Sequence, residues 1–202
     1  MCELRRQKNE LRAELLDRRR SIPTEKREDW DKKIANVFLN SISYRFCDIL
    51  LIYASARDEV STSYIIERSL VNKKIVACPI SNAGDNTLTF KTINSIGELQ
   101  SGHYNIMEPP ESNTDFRDLF NAAPGAKKRP PLAVCVIPCL SYDSSGYRMG
   151  YGKGYYDRFL PSFDGTKIGL CYSEFKSDNL PKGKYDVKLD VIITEKGVTV
   201  LQ

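Results

Sequence analysis

Three glycines spaced by two, Gly150, Gly152 and Gly154, lie in the run Arg148-Met149-Gly150-Tyr151-Gly152-Lys153-Gly154-Tyr155-Tyr156-Asp157. Glycine reaches backbone conformations closed to other residues and lets a ligand approach the main chain. Where such a run opens a helix, its N–H groups are placed to bind an anion. Arg148 and Lys153 bring positive charge for a phosphate clamp. Asp157 offers hard oxygens to a Mg²⁺ ion held between phosphates. The glycine spacing alone serves a flexible turn as readily as a site. The flanking Arg, Lys, Tyr and Asp side chains tilt it towards the phosphates of a nucleotide. The run is neither GxxxxGK[ST] nor GxGxxG in its usual spacing.

A second polar cluster, Arg57-Asp58-Glu59, follows the apolar run 49–53. In open α/β sheets, ligands collect outside the carboxyl ends of strands, so this turn and the glycine run can face one crevice. The competing reading is that Asp58 and Glu59 only favour the dipole of the helix that follows. Lys8 and Arg12 stand four apart and project from one helix face, where they either meet a polyphosphate or stay solvated. The short basic runs Arg18-Arg19-Arg20 and Lys127-Lys128-Arg129 read as a solvated helix end and a solvated loop.

The elements that must hold these residues alternate. Residues 3–20 form a helix with Leu4, Leu11 and Leu15 at helical spacing, and Pro23 ends it. Thr24 is placed to cap a second helix, with Ile34, Val37 and Phe38 on its buried face. Continuous apolar runs at 49–53, 74–79, 131–138, 166–172 and 190–194 have the length and composition of strands covered on both faces. A helix over 61–72, with Ile65, Ile66 and Leu70 inward, joins the first two strands and implies that they are parallel. Residues 88–93 alternate as a half-exposed strand, 108–131 form a long loop, a helix runs through 156–160, and 197–201 form a hairpin tail. The pattern predicts an α/β fold: a three-layer domain over 1–202 with a mostly parallel mixed sheet flanked by helices.

Composition sets the outer limits. The chain has 202 residues, 41% hydrophobic and 28% charged, with a net charge of +4, which suits a globular fold and an anionic ligand. No basic block with interleaved aromatics points to nucleic acid. No apolar stretch is long enough to span a membrane. The six cysteines form no CxxC pair, and Cys78, Cys135 and Cys171 sit in strand-like runs where a free thiol packs as a small hydrophobe. The N-terminus lacks an apolar signal core, so the expected compartment is the reducing cytoplasm. His103 is the one histidine, which excludes multi-His metal sites and leaves it a structural role. No GxSxG elbow is present.

Assembled, these residues resemble the 5-formyltetrahydrofolate cyclo-ligase family nearly end to end. The strongest match is Ile137-Pro-x3-Tyr-Asp143-x2-Gly146-x-Arg148-x-Gly150-x-Gly152-x-Gly154-x-Tyr-Asp157-Arg, similar to the family's RxGxGxGxYDR. Lys8-x3-Arg12, Tyr53-x5-Glu59-x2-Thr62, Ile106-x-Glu108-Pro109 and Asp186-x3-Asp190-x3-Thr194-Glu195 support it. The resemblance implies a ligase that closes 5-formyltetrahydrofolate, with or without a polyglutamate tail, to the 5,10-methenyl form at the cost of ATP. It implies that Lys8, Arg12 and residues 148–156, Met149 included, hold ATP, with Arg148 and Lys153 catalytic. Ala54, Glu59 and residues 151–155 contact the folate, and Asp157 and Asp190 bind Mg²⁺. Two positions depart from the pattern: Tyr185 stands where many members have His, and some members carry Gly where Lys153 stands. The chain is expected to act as a monomer in the cytoplasm, apart from nucleic acid and membranes. Lys8 and Arg12 fall so near the start that little room is left for a cleaved leader. Two other readings keep the same fold: a non-catalytic nucleotide- or folate-binding protein, and a thioester-type transferase.

Overall fold

The computed structural model describes residues 3–56, 58–102, 106–121 and 131–201. In chain order the elements are α1 (Glu3–Arg20), α2 (Thr24–Asn40), α3 (Ile42–Phe46), β1 (Ile49–Ile52), α4 (Ser63–Val71), β2 (Ile75–Asn82), β3 (Thr87–Ile93), β4 (Gln100–Ser101), β5 (Met107–Glu108), α5 (Asp118–Asn121), β6 (Ala133–Pro138), β7 (Ser141–Tyr142), β8 (Arg148–Met149), α6 (Tyr155–Phe159), β9 (Thr166–Leu170), β10 (Val191–Thr194) and β11 (Gly197–Val200). Among the described residues, seven strands form one sheet in the order β11-β10-β9-β6-β1-β2-β3. The five central strands are parallel, and β11 and β3 pair antiparallel at the two edges. The fold is α/β, a mostly parallel mixed sheet flanked by helices, as the strand–helix alternation predicts.

Burial explains the pattern. Every residue of β1 and β10 is buried, and so are the last five of β6. A strand covered on both faces needs no polar alternation, which is why these runs read as unbroken apolar stretches. Edge strand β3 alternates instead. Helix α2 turns Trp30, Ile34, Ala35 and Phe38 inward, and α4 turns Ile65 and Ile66 inward. Cys78, Cys135 and Cys171 are buried free thiols.

Several local expectations are corrected. Thr24 is the first helical residue of α2; Pro23 takes the cap position in an extended conformation, with no side-chain cap bond. Helix α3 follows α2 with Ser41 as its cap, a five-residue element too short for periodicity to reveal. Strand β2 runs on to Asn82 because β3 folds back on it as a hairpin. The segment expected as a loop over 108–131 carries part of β5, a bridge from Asp115 to Lys91, and α5. Lys127-Lys128-Arg129, Arg57 and His103 lie outside the described residues.

Candidate functional site

Two of the loops that leave the carboxyl ends of parallel strands, those after β1 and β6, meet through a hydrogen bond from Tyr151 to Asp58. The loop after β6 folds into the small hairpin β7–β8, turned by Asp143. This buried carboxylate accepts from the N–H groups of Ser145, Tyr147 and Leu180. The hairpin sets Arg148 at the entry to the glycine run. Gly152 adopts φ +102° and Gly154 φ +72°, conformations that L side chains rarely take. Gly154 is the left-handed cap from which α6 starts. With only five residues, α6 contributes little dipole, so any anion here is met by the amides of the run itself.

Helix α1 lies across this run. The Arg12 Nε donates to the Gly150 carbonyl (3.0 Å), and its Nη2 approaches the Met149 sulfur (3.7 Å). A Cβ on Gly152 would lie 3.0 Å from the Arg12 Cζ. Lys8 forms an ion pair with Asp186, whose Oδ2 also accepts from the Gly183 N–H. Lys8 and Arg12 are thus partly buried, Arg12 against the glycine run and Lys8 against Asp186, rather than on a fully solvated face. Gly152→Ala is expected to cost about 1–3 kcal/mol through backbone strain and to push Arg12 off Gly150. Denaturant melts of Gly152→Ala, Arg12→Ala and the double variant check this, because strictly additive costs would rule out the contact.

Arg148 is 5% exposed; its Nη2 meets Asp157 Oδ1 at 3.0 Å, and its Nη1 donates to the Val187 carbonyl at 3.1 Å. Asp157 Oδ1 also accepts from the Val187 N–H. The Arg158 guanidinium donates to the carbonyls of Lys153 and Gly154, closing the far end of the run. Asp190 is placed elsewhere. It precedes β10, accepts from the Lys167 N–H, and lines a cleft of about 1030 Å³ that holds none of residues 148–157. Among the described residues, no group of three or more His, Cys, Asp or Glu side chains gathers to hold a metal.

The acidic loop closes the other wall. The Tyr151 hydroxyl donates to the Asp58 carbonyl (2.9 Å), joining the glycine run to the loop after β1. Asp58 Oδ2 pairs with Arg20 rather than with a helix end. Glu59 Oε2 accepts from the Ala56 N–H (2.8 Å), beside buried Ala54. Burial pushes the Glu59 carboxyl up to about 7, with Arg19 pulling it back and Asp58 adding to the rise. Helix α4 begins only at Ser63, so neither acid serves its dipole. Tyr53, Tyr151 and Tyr156 surround Glu59, and burial holds all three phenols well above their usual value. The buried Tyr156 hydroxyl has no hydrogen-bond partner among the described residues. Tyr155 packs against the core beside it.

Residue types and spacing did not reveal Arg19, Asp143 or Val187. Arg19, expected on a solvated helix end, is fully buried. It stands four residues beyond Leu15, so it continues the inward stripe of α1; that phase was the available signal.

The sequence matches a known family. The model of the 5-formyltetrahydrofolate cyclo-ligase family covers residues 5–195. The chain belongs to that family. It is 27% identical to the 5-formyltetrahydrofolate cyclo-ligase of Mus musculus over 93% of each chain. It is 31% identical to that of Mycoplasma genitalium over 65% of this chain and 77% of the relative. The NMR structure of Aquifex aeolicus 5,10-methenyltetrahydrofolate synthetase superposes with a TM-score of 0.78 at 27% identity, covering 96% of this chain and 93% of that one. The structure of a Mycoplasma pneumoniae 5,10-methenyltetrahydrofolate synthetase superposes with a TM-score of 0.68 at 24% identity, covering 93% and 98%, and supports the fold. Among the described residues, no helix is long and apolar enough to cross a membrane.

Proposed function

We propose that this chain is a 5-formyltetrahydrofolate cyclo-ligase that spends ATP to close 5-formyltetrahydrofolate to 5,10-methenyltetrahydrofolate, releasing ADP and phosphate. One contact carries this assignment beyond family membership. The Tyr151–Asp58 hydrogen bond brings the cationic glycine run against the loop that carries the half-buried Glu59, which supports a site shared between them. A phosphate donor on one wall then reaches a folate on the other.

The chemistry accounts for the ATP. A formamide oxygen is a poor leaving group. The formyl oxygen attacks the γ-phosphorus and ADP leaves. N10 of the folate then attacks the activated formyl carbon, phosphate departs with its oxygen, and the N10 proton is lost as the ring closes. Phosphoryl transfer of this kind needs positioning and charge neutralisation rather than a protein nucleophile. Arg148, Lys153, Lys8 and Arg12 supply the positive charge. The amides of residues 149–156 oppose charge on the phosphate oxygens. Tyr151 and Tyr155 lie between the two ligands. Glu59 orients the pterin by accepting hydrogen bonds, next to Ala54, and the Tyr156 hydroxyl gains a partner when the crevice fills.

Mg²⁺ fits the donor chemistry. It takes one or two carboxylates and completes its shell with water and phosphate oxygens, so a larger protein cage is not required. Asp157 would hold it, with Oδ2 outside the Arg148 pair; no contact among the described residues brings Asp190, which pairs with Lys167, to that carboxylate. When bound, the ion neutralises phosphate charge. We assign the protein to the cytoplasm as a monomer, with a polyglutamate tail on the folate tolerated.

Mixing the protein with Mg²⁺, ATP and 5-formyltetrahydrofolate should produce the near-ultraviolet absorbance of the methenyl product. Product without ATP, or none with it, would refute the assignment. Binding of both ligands without product would favour a non-catalytic binding protein.

A further inference from the structure

Arg19 is the largest fully buried side chain of the described residues and pairs with no carboxylate there. Its Nη1 donates to the Asp58 carbonyl (3.2 Å). Its Nη2 reaches the carbonyls of Cys139 and Leu140 (both 3.1 Å) and the Cys171 sulfur (3.5 Å). The guanidinium lies over the rings of Tyr172 and Phe175, at 4.8 and 4.6 Å from their centroids, while its Nε has no partner among the described residues. A buried cation without an anion is costly, and an apolar side chain of similar volume would fill this space at less expense. What the guanidinium adds is a fork whose acceptors come from the loop after β1 and from the ends of β6 and β9. One of them, the Asp58 carbonyl, is the same atom that receives the Tyr151 hydroxyl.

We propose that Arg19 is a positioning residue of the crevice: it fixes the loop carrying Asp58 and Glu59 against the ends of β6 and β9, and so sets the spacing between the Glu59 wall and the glycine-run wall. The effect on turnover rests on Glu59 being the folate-side group, as assigned above. The tether itself does not. Arg19 also exerts its charge on Glu59, alongside Asp58 on the same loop, Tyr53 at the end of β1, Tyr151 in the glycine run and Tyr156 on α6.

The test uses Arg19→Met and Arg19→Lys in the full chain, with three readouts: KM for each substrate, the Glu59 titration by carboxyl-carbon NMR, and thermal melting. In Arg19→Met, KM for 5-formyltetrahydrofolate should rise roughly 10- to 100-fold, as expected for a misplaced substrate-holding wall. KM for ATP should stay near wild type, and the Glu59 midpoint should move upward from about 7. Arg19→Lys should bring the midpoint back towards wild type, since the charge returns. Its folate KM should stay raised, since a single ammonium cannot bridge the loop and both strand ends. Folded variants with unchanged folate KM and unchanged Glu59 midpoint, differing only in melting temperature, would overturn the proposal. If Arg19→Met does not fold, the same unchanged pair of values in Arg19→Lys overturns it. A folate KM raised by both Arg19→Met and Arg19→Lys but unaffected by Glu59→Gln would support the tether and refute the folate-side role of Glu59.

Discussion

Arg148→Ala is expected to lose roughly 10³-fold in kcat, the scale set by removing an arginine that stabilises a transferring phosphoryl group. The Arg148 guanidinium is nearly buried and already aimed, with one arm on Asp157 and the other on the Val187 carbonyl. A side chain held this way loses little freedom on meeting phosphate. The same contacts mean that the substitution also affects folding. Removing one partner of a buried ion pair leaves an uncompensated charge, but Asp157 is 27% exposed and still reaches water. The stability loss should therefore be about 1–3 kcal/mol, below the full penalty for a buried pair. Steady-state formation of the methenyl product, set beside urea melts, separates the two effects. A folded Arg148→Ala protein with near-normal turnover would eliminate the clamp. Arg148→Lys, which keeps a charge without the fork, should fall between the two.

Glu59→Gln should make the protein more stable at pH 8 and a poorer enzyme. The folded carboxyl titrates at about 7, against an unperturbed 4.5, because burial disfavours its charge. Between those two values the folded state holds the proton more tightly than the unfolded state does. Wild-type stability therefore falls as pH rises through that window and levels off above it. The loss amounts to at most about 3 kcal/mol, and Gln, which keeps an oxygen for the Ala56 N–H, should escape it. Thermal melts from pH 4 to 8 should show a slope in wild type that Glu59→Gln lacks. In return, KM for the folate should rise roughly 10- to 100-fold as charge-assisted hydrogen bonds become neutral ones. In wild type, kcat/KM for the folate should climb with pH through about 7 as Glu59 ionises, and the variant should lose that limb. A variant with wild-type KM across this range would remove Glu59 from the folate site. A gain in stability bought by a loss of function is the usual signature of a strained functional group.

Much of the sheet was legible because its strands are short, apolar and covered on both faces. Ile49–Ile52 and Val191–Thr194 announce themselves without any tertiary information. The glycine run was legible for a similar reason: its signal is local, long and regularly spaced. The hairpin β7–β8 was not, because two-residue strands carry no period; it exists because Asp143 gathers amides from two different loops. Helix α1 shows the limit most sharply. Arg18, Arg19 and Arg20 are chemically identical neighbours, yet Arg18 and Arg20 are exposed while Arg19 is buried. Helical phase distinguishes them, since each residue turns the side chain by about 100°, and Lys8, Arg12 and Arg19 all fall on or beside the stripe of Leu11 and Leu15.

By itself, the sequence determined the α/β architecture, the order of its elements, and the segment whose glycines and cations suit phosphate. These follow from periodicity and residue chemistry within a few positions of one another. Only the tertiary structure decided which wall faces that segment, that Asp157 stands with Arg148 while Asp190 stands with Lys167, and that Glu59 is raised towards neutrality. Those outcomes depend on contacts such as Tyr151 with Asp58, 93 residues apart, and Arg19 with Cys171, 152 apart. The electrostatic environment of a buried group is set by whatever packs around it, and local residue patterns do not encode that distance.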